Sequence, residues 1–496
     1  MRRCTAAIVA IVTAGALALS SSASAVPIVP AGVSSLPDYQ GAPATAKPIA
    51  SAPRPEQNPF MAANPNSNIH NDTWMTDTYR RPGPLGDSLV TNSGAMRSAV
   101  CGSLTFDSAG RIITVCPSIP FPPQARIIDP VTLEILGTYE LPTAPSPPGT
   151  KEYQNFAGGG YFFLDERDRV WVATRTDHLY VLAINPDASG FTLKRDYDLT
   201  GVLDTTNERI SSALPDFDGN IWFATRRNGK VGVLDAESGD VKILQLDEEI
   251  QNSFAVASEG VYIVSEKKMY RFKATKSGRP RVVWSKRYAN SGVIKPGQAD
   301  AGSGTTPTIL KNDYVAITDN ADPMNVVVYR RSKKLGKGEH RTICRVPVFE
   351  QGASATDNSL IGVGRSLVVE NNYGYQDPFG PQTGALTEPG FSRIDIKKNG
   401  KGCTKVWTND EVRSPTVVPK MSTETGLIYT YSKPADPTAN EGYFWTAIDY
   451  RTGETAWMKY AGSGLLFNNN YAGMAIGPDG TAYLGVIGGL ISLRDG

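Results

Sequence analysis

Short apolar segments recur along nearly the whole chain and alternate with turns that contain Asp, Asn or Gly. The apolar segments are rich in Val, Ile, Tyr and Trp, which favour β-strands, whereas Asp, Asn and Gly favour tight turns. The spacing of apolar residues that is typical of helices is not sustained anywhere, which excludes alternating α/β folds. The pattern therefore predicts an all-β protein.

The strands group into a repeating unit of four, and the turn after the first strand of the unit recurs eight times. These turns are 41 to 62 residues apart and lie at residues 107–110, 165–168, 218–220, 259–260, 312–313, 362–364, 425–426 and 479–480. Four short strands per repeat at such a period are typical of a β-propeller. We therefore predict an eight-bladed β-propeller, with seven blades as the alternative if one unit is irregular.

The last unit is incomplete, because residues 474–476, 481–486 and 490–493 supply only three strands. A propeller left in this state would expose an open sheet edge. We expect an N-terminal strand to close the ring, and the two candidates are residues 73–79 and 85–91.

The N-terminal region has the features of a secretory signal peptide. Arg2 and Arg3 precede an apolar stretch, and Ala23-Ser24-Ala25 forms a small-residue cleavage site. We predict a signal peptide at 1–25, a Pro/Ala/Ser-rich linker at 26–58, and a single propeller domain at 59–496. The protein would then be secreted or extracellular, with the linker lying in a cell wall.

Four cysteines remain after removal of the signal peptide, in an oxidising compartment that permits disulfides. They allow three pairings. In an antiparallel hairpin centred on residues 107–110, Cys101 lies opposite Cys116, so this pair is favoured. Cys344 and Cys403 would then form the second pair by elimination. No His stands at metal-ligand spacing from these cysteines, which argues against a metal site.

Charge and hydropathy exclude two classes of partner. The formal net charge of +1 argues against a dedicated nucleic-acid binder. Beyond the N-terminal region the sequence has no apolar run of the roughly 18 residues that a transmembrane helix needs.

One stretch carries a resemblance to a known family. Ala447, Asp449, Thr452, Gly453 and Trp457 occupy every fixed position of the pattern A-x-D-x-x-T-G-x-x-x-W. This pattern resembles the tryptophan-docking repeat of the PQQ-type quinoprotein propellers. Partial copies lie at residues 233–239 and 128–130. The resemblance implies an eight-bladed propeller of the PQQ-like superfamily, in which Trp457 packs between blades. In that family most blades carry the full repeat, so one complete copy supports the fold more than a bound quinone.

Loops on one face of a propeller surround a central funnel, which is the usual place for a ligand. The loops predicted for that face are polar, and one of them, residues 370–391, is long enough to cover the funnel. Their amides and guanidinium groups suit a small polar ligand such as a sugar or an organic acid. The predicted ligand-binding residues are Asn155, Arg209, Arg226, Asn252, Asn371, Asn372 and Asn469.

Two of the three histidines precede or lie in funnel-face loops, and His is the usual proton shuttle near neutral pH. The catalytic hypothesis pairs His70 or His178 with Glu208, Asp319 or Glu370 as the acid or base. A separate metal hypothesis places Ca²⁺ between Asp319 and Asp322, because oxygen ligands at this spacing suit that ion.

The opposite face is predicted to carry basic turns in three neighbouring blades. Such a surface would attract an anionic cell-envelope polymer. The basic residues are Lys273, Lys276, Arg279, Arg281, Arg330, Arg331, Lys333, Lys334, Lys337, Arg341, Lys397, Lys398 and Lys401.

These patterns favour a secreted binding or scaffold module, with a small polar ligand or a protein partner at the funnel. The alternative is a secreted enzyme that uses the same funnel, either a PQQ- or metal-assisted oxidoreductase or a sugar-active lyase or hydrolase. PQQ and Ca²⁺ are the cofactors that these alternatives would require.

Overall fold

The computed structural model describes residues 26–28, 34–50, 52–96, 99–117, 121–151, 155, 158–379, 384–436 and 442–496. The predicted signal peptide lies outside the described residues, as does the part of the long funnel-face loop at 380–383. Within the described ranges, the only helical elements are two 3-10 turns, Gly384–Leu386 and Leu465–Phe467.

Eight antiparallel sheets form the blades, so the predicted all-β, eight-bladed propeller is confirmed. Three strands precede the first blade: β1 (Tyr39–Gly41), β2 (Thr78–Tyr79) and β3 (Val90–Ala95). The blades then follow in chain order as β4 (Ser103–Phe106), β5 (Ile112–Cys116), β6 (Gln124–Ile128) and β7 (Ile135–Glu140) in blade 1; β8 (Phe162–Leu164), β9 (Val170–Ala173), β10 (His178–Ile184) and β11 (Phe191–Asp198) in blade 2; β12 (Ile210–Pro215), β13 (Ile221–Thr225), β14 (Lys230–Leu234) and β15 (Val241–Gln245) in blade 3; β16 (Ala255–Ala257), β17 (Gly260–Val264), β18 (Lys268–Ala274) and β19 (Pro280–Arg287) in blade 4; β20 (Thr308–Leu310), β21 (Tyr314–Thr318), β22 (Asn325–Arg330) and β23 (Thr342–Pro347) in blade 5; β24 (Ile361–Val363), β25 (Ser366–Glu370), β26 (Phe391–Ile396) and β27 (Cys403–Asn409) in blade 6; β28 (Lys420–Ser422), β29 (Leu427–Ser432), β30 (Gly442–Asp449) and β31 (Thr455–Ser463) in blade 7; and β32 (Met474–Ile476), β33 (Ala482–Val486) and β34 (Gly489–Arg494) in blade 8.

The ring is closed by an N-terminal strand, as predicted. Strand β3 pairs antiparallel with β34, and Val90 lies opposite Arg494. It therefore supplies the missing outer strand of blade 8 and removes the open edge. The closing strand begins near the end of the candidate segment 85–91. The other candidate, residues 73–79, lies in the central channel instead.

Residues 58–81, which we call the plug, fill the central channel of the propeller. Phe60 lies against Gly219, in the turn that follows β12, so the plug enters from the face where the inner strands end. Strand β2 returns to that face in parallel pairing with β28 of blade 7. The plug therefore forms a loop inside the ring.

Every inner strand contacts the plug through a hydrogen bond. The backbone N–H groups of Val256, Ile309, Gly362 and Met421 donate to plug carbonyls, at 2.7 to 3.0 Å. The remaining four blades are joined by Thr105 Oγ1 to the Asn66 carbonyl, Leu164 N–H to the Ser67 carbonyl, Asn58 Nδ2 to the Pro215 carbonyl and Arg81 Nη1 to the Ile476 carbonyl. The inner edges of the sheets thus find partners without forming a continuous extra sheet.

Part of the segment predicted as a linker packs on the propeller. Strand β1 pairs antiparallel with β31, outside blade 7. Lys47 and Ile49 then donate backbone hydrogen bonds to the carbonyls of Thr425 and Thr423, at 2.8 and 2.7 Å. The chain thereby runs from the outer edge of blade 7 to the mouth of the channel.

Both predicted disulfides are present. Cys101 pairs with Cys116 in blade 1, and Cys344 pairs with Cys403 between the outer strands of blades 5 and 6. In blade 1 the strand register places Ser103 opposite Val115, one residue away from the predicted register. The cysteines still meet because Val100 N–H bonds the Pro117 carbonyl, which restores the predicted register at that point.

Trp457 is buried in a core that blades 7 and 8 share. Its indole packs against Gly86, where a Cβ atom would approach Trp457 Cδ1 to 2.6 Å and where φ is +98°. The Asp449 side chain accepts the N–H groups of Arg451 and Thr452 and so forms the turn before it. Asp235 and Asp129 accept backbone N–H groups in the same way in the two partial copies.

Replacing Trp457 should be costly because its indole is only 1% exposed. We expect Trp457→Ala to lower the free energy of unfolding by about 3–5 kcal/mol, since it removes buried area and leaves a cavity. Chemical denaturation measures the change. The control is Val131→Ala, at an exposed position, which should stay within about 0.5 kcal/mol of the wild type. Equal stabilities of the two variants would contradict the role of Trp457.

Candidate functional site

A cavity of about 370 Å³ lies at the funnel face, where the inner strands begin. Gly102, Tyr161, Asn252, Ser359 and Val418 line it, and each precedes the inner strand of its blade. The plug forms its floor with Ile69 and His70. The cavity is therefore open toward the funnel and closed toward the opposite face.

The walls of the cavity are more apolar than the polar loops suggested. Val100, Val418 and Ile487 contribute aliphatic side chains, and Pro378 and Phe379 of the long loop line the cavity. Phe379 is 65% exposed, which places it at the rim. The described part of the long loop therefore contributes to the lining, whereas coverage of the funnel by this loop stays a prediction.

One side of the cavity carries buried polar groups. Tyr161 donates its hydroxyl to Asn252 Oδ1 at 3.2 Å, while Asn252 Nδ2 has no hydrogen-bond partner among the described residues. Gln251 Nε2 donates to Asp357 Oδ2 at 2.9 Å, and Asp357 Oδ1 likewise lacks a partner in the described part of the chain. Burial raises the pKa of Asp357 to about 8, and the nearby Asp300 carboxylate adds to the shift. Burial therefore favours the neutral form of the Asp357 carboxyl group.

The floor contains an ion pair inside the channel. His70 Nδ1 lies 3.0 Å from Asp77 Oδ1, and Lys420 Nζ donates to the same oxygen and to the Ile69 carbonyl. Burial acts to raise the pKa of Asp77, but Lys420 and His70 outweigh it, so the pKa lies below the ordinary value. On the cavity side, His70 Nε2 lies 3.4 Å from Ser359 Oγ.

Glu370 lies behind the cavity wall. Its carboxylate accepts from Asn358 Nδ2, from Asn372 Nδ2 at 3.1 Å and from Ser414 Oγ at 2.9 Å. Burial raises its pKa to about 8 despite these donors. These contacts join blade 6 to the segment before blade 7, so the role of Glu370 is structural.

Three of the predicted site residues line the cavity: His70, Asn155 and Asn252. Four other predicted ligand-binding residues are held by internal contacts away from it. Arg209 donates to Asp177, and Arg226 donates to Asp300 at 2.9 Å. Asn371 caps neighbouring backbone groups, and Asn372 bridges Thr356 and Glu370.

The remaining predicted residues are also outside the cavity. Asn469 accepts from Thr416 Oγ1 at 3.2 Å, and its neighbour Asn470 lines the cavity instead. His178 pairs with Asp196 at 2.6 Å on the outer part of blade 2. Glu208 forms a 2.7 Å ion pair with Lys230.

The Ca²⁺ hypothesis does not fit the groups present. Asp319 accepts the N–H groups of Ala321 and Asn325 as well as Asn325 Nδ2, and Asp322 accepts from Gly352 N–H. These N–H groups occupy the carboxylate positions that a cation would need. Among the described residues, no group of three or more His, Cys, Asp or Glu side chains is placed to hold a metal.

Pyrroloquinoline quinone does not fit the cavity either. The cofactor carries three carboxylates, which require cationic partners. In the described part of the lining, Arg175 is the one permanently charged cation, and the lining also contains the carboxyl group of Asp357. We therefore derive no chemistry from a bound quinone.

The basic turns on the opposite face are partly engaged in the fold. Arg331 pairs with Glu259 at 2.6 Å, and the Arg341 guanidinium lies 4.5 Å from the ring centroid of Trp284. Lys333, Lys334 and Lys337 remain exposed. Binding of a cell-envelope polymer to these residues stays a prediction.

No sequence pattern indicated that several residues of the site would lie there. Asp77 and Lys420 are 343 residues apart, and Ser359 lies in no recognisable motif. Tyr161 follows a glycine run that marked a loop but not a buried hydroxyl. The one usable signal was the polar loop at 356–358, which directly precedes Ser359.

Comparisons with known proteins provide information on the fold of this chain. The chain matches no family model. It is 28% identical over 369 residues to an uncharacterised protein of Archaeoglobus fulgidus, covering 68% of this chain and 70% of that protein. A solved quinohemoprotein alcohol dehydrogenase from Comamonas testosteroni superposes with a TM-score of 0.55 at 11% identity, over 90% of this chain and 81% of that one. BamB from Moraxella catarrhalis gives a TM-score of 0.48 at 12% identity, over 79% and 95%.

The likeness to the dehydrogenase shows a shared fold. At 11% identity it carries no information on a bound quinone. No helix in the described ranges has the length and apolar character needed to cross a membrane.

The raised pKa of Glu370 predicts a pH dependence of stability. The folded state keeps this proton up to about pH 8, whereas the unfolded chain loses it near its ordinary pKa of about 4.5. Stability should therefore fall as pH rises between these values. In Glu370→Gln, which keeps the shape, we expect the fall between pH 5 and pH 8 to be less steep by on the order of 1 kcal/mol per pH unit.

Denaturant titrations at a series of pH values measure this slope. The matched control is Glu424→Gln, at an exposed turn position, which should leave the slope unchanged. A slope for Glu370→Gln that equals that of the wild type would show that Glu370 is ionised in the folded protein.

Proposed function

We propose that this protein is a secreted module that binds a small organic molecule in the funnel cavity above the plug. The observation that carries the proposal is the shape and lining of that cavity. It is about 370 Å³ in volume and closed at its floor by Ile69 and His70, and its walls combine aliphatic side chains with polar groups that include Arg175, Asn252 and Ser359. Sites for small molecules commonly combine these features.

The lining defines the chemistry of the ligand. Val100, Val418 and Ile487 favour an apolar body, and burying it would release water from their surfaces. Asn252 Nδ2 is a buried donor whose missing hydrogen bond costs about 1–3 kcal/mol, which a ligand oxygen would recover. The favoured ligand is therefore a compact, largely apolar molecule with one or two hydrogen-bonding oxygens. This is less polar than the sugar or organic acid suggested by the loops.

Secretion is part of the proposal and is supported by chemistry. Two disulfides join parts of the fold, and such bonds persist in oxidising compartments. The signal-peptide features of the first residues point in the same direction.

Filling the cavity should weaken binding without unfolding the protein. Gly102 lines the cavity, and a Cβ atom there would meet Ala472 Cα at an ordinary 3.8 Å. A screen of small apolar oxygen-containing compounds by thermal shift, followed by calorimetry, should identify a ligand. We expect Gly102→Phe to weaken its affinity at least about tenfold, because the larger side chain occupies the ligand volume.

The matched control is Gly102→Ala, which adds one methyl group and should keep the affinity within about threefold. The melting temperatures of both variants without ligand report whether the fold is intact. A ligand that binds wild type and a folded Gly102→Phe variant equally would place binding elsewhere on the molecule.

A further inference from the structure

The floor of the cavity brings together a serine, a histidine and an aspartate. Ser359 Oγ lies 3.4 Å from His70 Nε2, and His70 Nδ1 lies 3.0 and 3.2 Å from the two oxygens of Asp77. Ser359 and His70 both line the cavity, whereas Asp77 is fully buried behind them. The order is that of a nucleophile, a base and the group that orients the base.

The orientation of His70 is fixed by its surroundings. Its backbone N–H donates to Asn68 Oδ1 at 2.7 Å, and its carbonyl accepts from Asp77 N–H at 3.3 Å. Lys420 keeps Asp77 ionised, so Asp77 accepts the Nδ1 proton of the ring. Nε2 is then left as an acceptor facing Ser359, which is the tautomer that general-base catalysis requires.

Ser359 is available for this role. Among the described residues, His70 is the one hydrogen-bond partner of Ser359 Oγ. The distance of 3.4 Å is longer than a strong O–H···N bond, and catalytic contacts of this kind shorten in the substrate complex.

We propose that Ser359 and His70 form a hydrolytic site for small carboxylic esters, with Asp77 as a positioning residue. This inference rests on the proposed cavity as the place where the molecule binds. An ester of a short apolar acid matches the lining, because its acyl group is apolar and its carbonyl oxygen is an acceptor. We assign Asn252, the donor without a partner, to that carbonyl oxygen.

The reaction proceeds by acyl transfer in two steps. Ser359 Oγ forms a bond to the carbonyl carbon and its proton passes to His70 Nε2. The bond to the leaving alcohol breaks as His70 returns that proton to the alcohol oxygen. A water molecule then attacks the acyl-serine with His70 again as base, which releases the carboxylic acid and restores the serine. No oxidation or reduction occurs.

A fluorophosphonate probe tests the nucleophile directly on the purified full chain. We expect a single covalent adduct on Ser359, located by peptide mass spectrometry, and hydrolysis of p-nitrophenyl butyrate. Ser359→Ala should abolish both, and His70→Gln should slow labelling by roughly 10²-fold or more. The control is Ser211→Ala, at a buried serine of β12 that does not line the cavity, and it should label at the wild-type rate.

The role of Asp77 needs a readout other than stability. The double variant Asp77→Asn/Lys420→Met removes this buried charge pair as a whole, so neither partner is left without the other. We expect slower labelling of Ser359 and, in the ¹⁵N NMR spectrum of the ring, loss of the Nδ1–H tautomer of His70. With only three histidines in the chain, this signal can be assigned by substitution.

Other outcomes overturn the inference. Absence of an adduct on Ser359, or equal labelling rates in wild type and a folded His70→Gln variant, would show that the contact only ties the plug to blade 6. If Ser359→Ala does not fold, Ser359→Cys replaces it, because it keeps the size of the side chain. Alkylation of this cysteine by iodoacetamide should be slower when His70→Gln is also present. Equal alkylation rates with and without His70→Gln also refute the inference.

The two proposals fail in different ways. If a ligand binds Gly102→Phe more weakly than wild type while Ser359 stays unlabelled, the binding proposal holds and the hydrolysis proposal is refuted. Labelling of Ser359 that Gly102→Phe does not slow refutes the cavity as the binding site.

Discussion

The inner edge of each blade must find hydrogen-bond partners, and the plug is the element that supplies them. In a ring of eight short inner strands, these edges face one another across a central channel. Backbone groups in such a channel are costly unless they are paired or hydrated. Residues 58–81 meet this need by contacting all eight inner strands, with backbone hydrogen bonds to residues from Leu164 in blade 2 to Met421 in blade 7. The rest of the structure depends on this contact, because it converts an open channel into a cavity with a floor.

The plug also carries charge into the interior, and this fixes its position. Lys420 and Asp77 are fully buried, so their attraction has to offset a large loss of hydration. A shift of the plug by one residue would leave both charges unpaired, with a penalty of several kcal/mol. The same network therefore holds the plug in register and sets the tautomer of His70. Stability and chemistry are linked here through a single carboxylate.

The repeat pattern predicted the fold well, because turn residues and short apolar strands are local signals. The eight turns, the strand that closes blade 8 and both disulfides follow from spacing along the chain. The plug could not be predicted, since its irregular backbone has no period and its partners are distributed over all blades. Residues 73–79 were rich in Thr and Trp and so resembled an edge strand, yet they lie in the channel.

The site was predicted less well than the fold, and the reason is geometric. Polar loop residues such as Arg226 and Asn372 satisfy neighbouring groups, and sequence alone does not distinguish them from residues that face a ligand. His70 was identified as a candidate because histidines are few. Its partners Asp77 and Ser359 are separated from each other by more than 280 residues and became visible only in three dimensions. The stretch from Gly442 to Trp457, which carries the family resemblance, lies in the wall of blade 7 away from the cavity.

The position of the plug and of β3 also constrains how the chain folds. Both precede the first blade, yet their partners are far along the chain. Lys420 Nζ donates to the Ile69 carbonyl over a separation of 351 residues, and β3 pairs with β34 near the C-terminal end of the sequence. Such long-range closure is slow, because chain entropy must be lost before the contacts form. The blades therefore have to assemble around a segment that is synthesised before them. Until blade 8 is complete, the ring stays open, and its unpaired strand edges can pair with other chains.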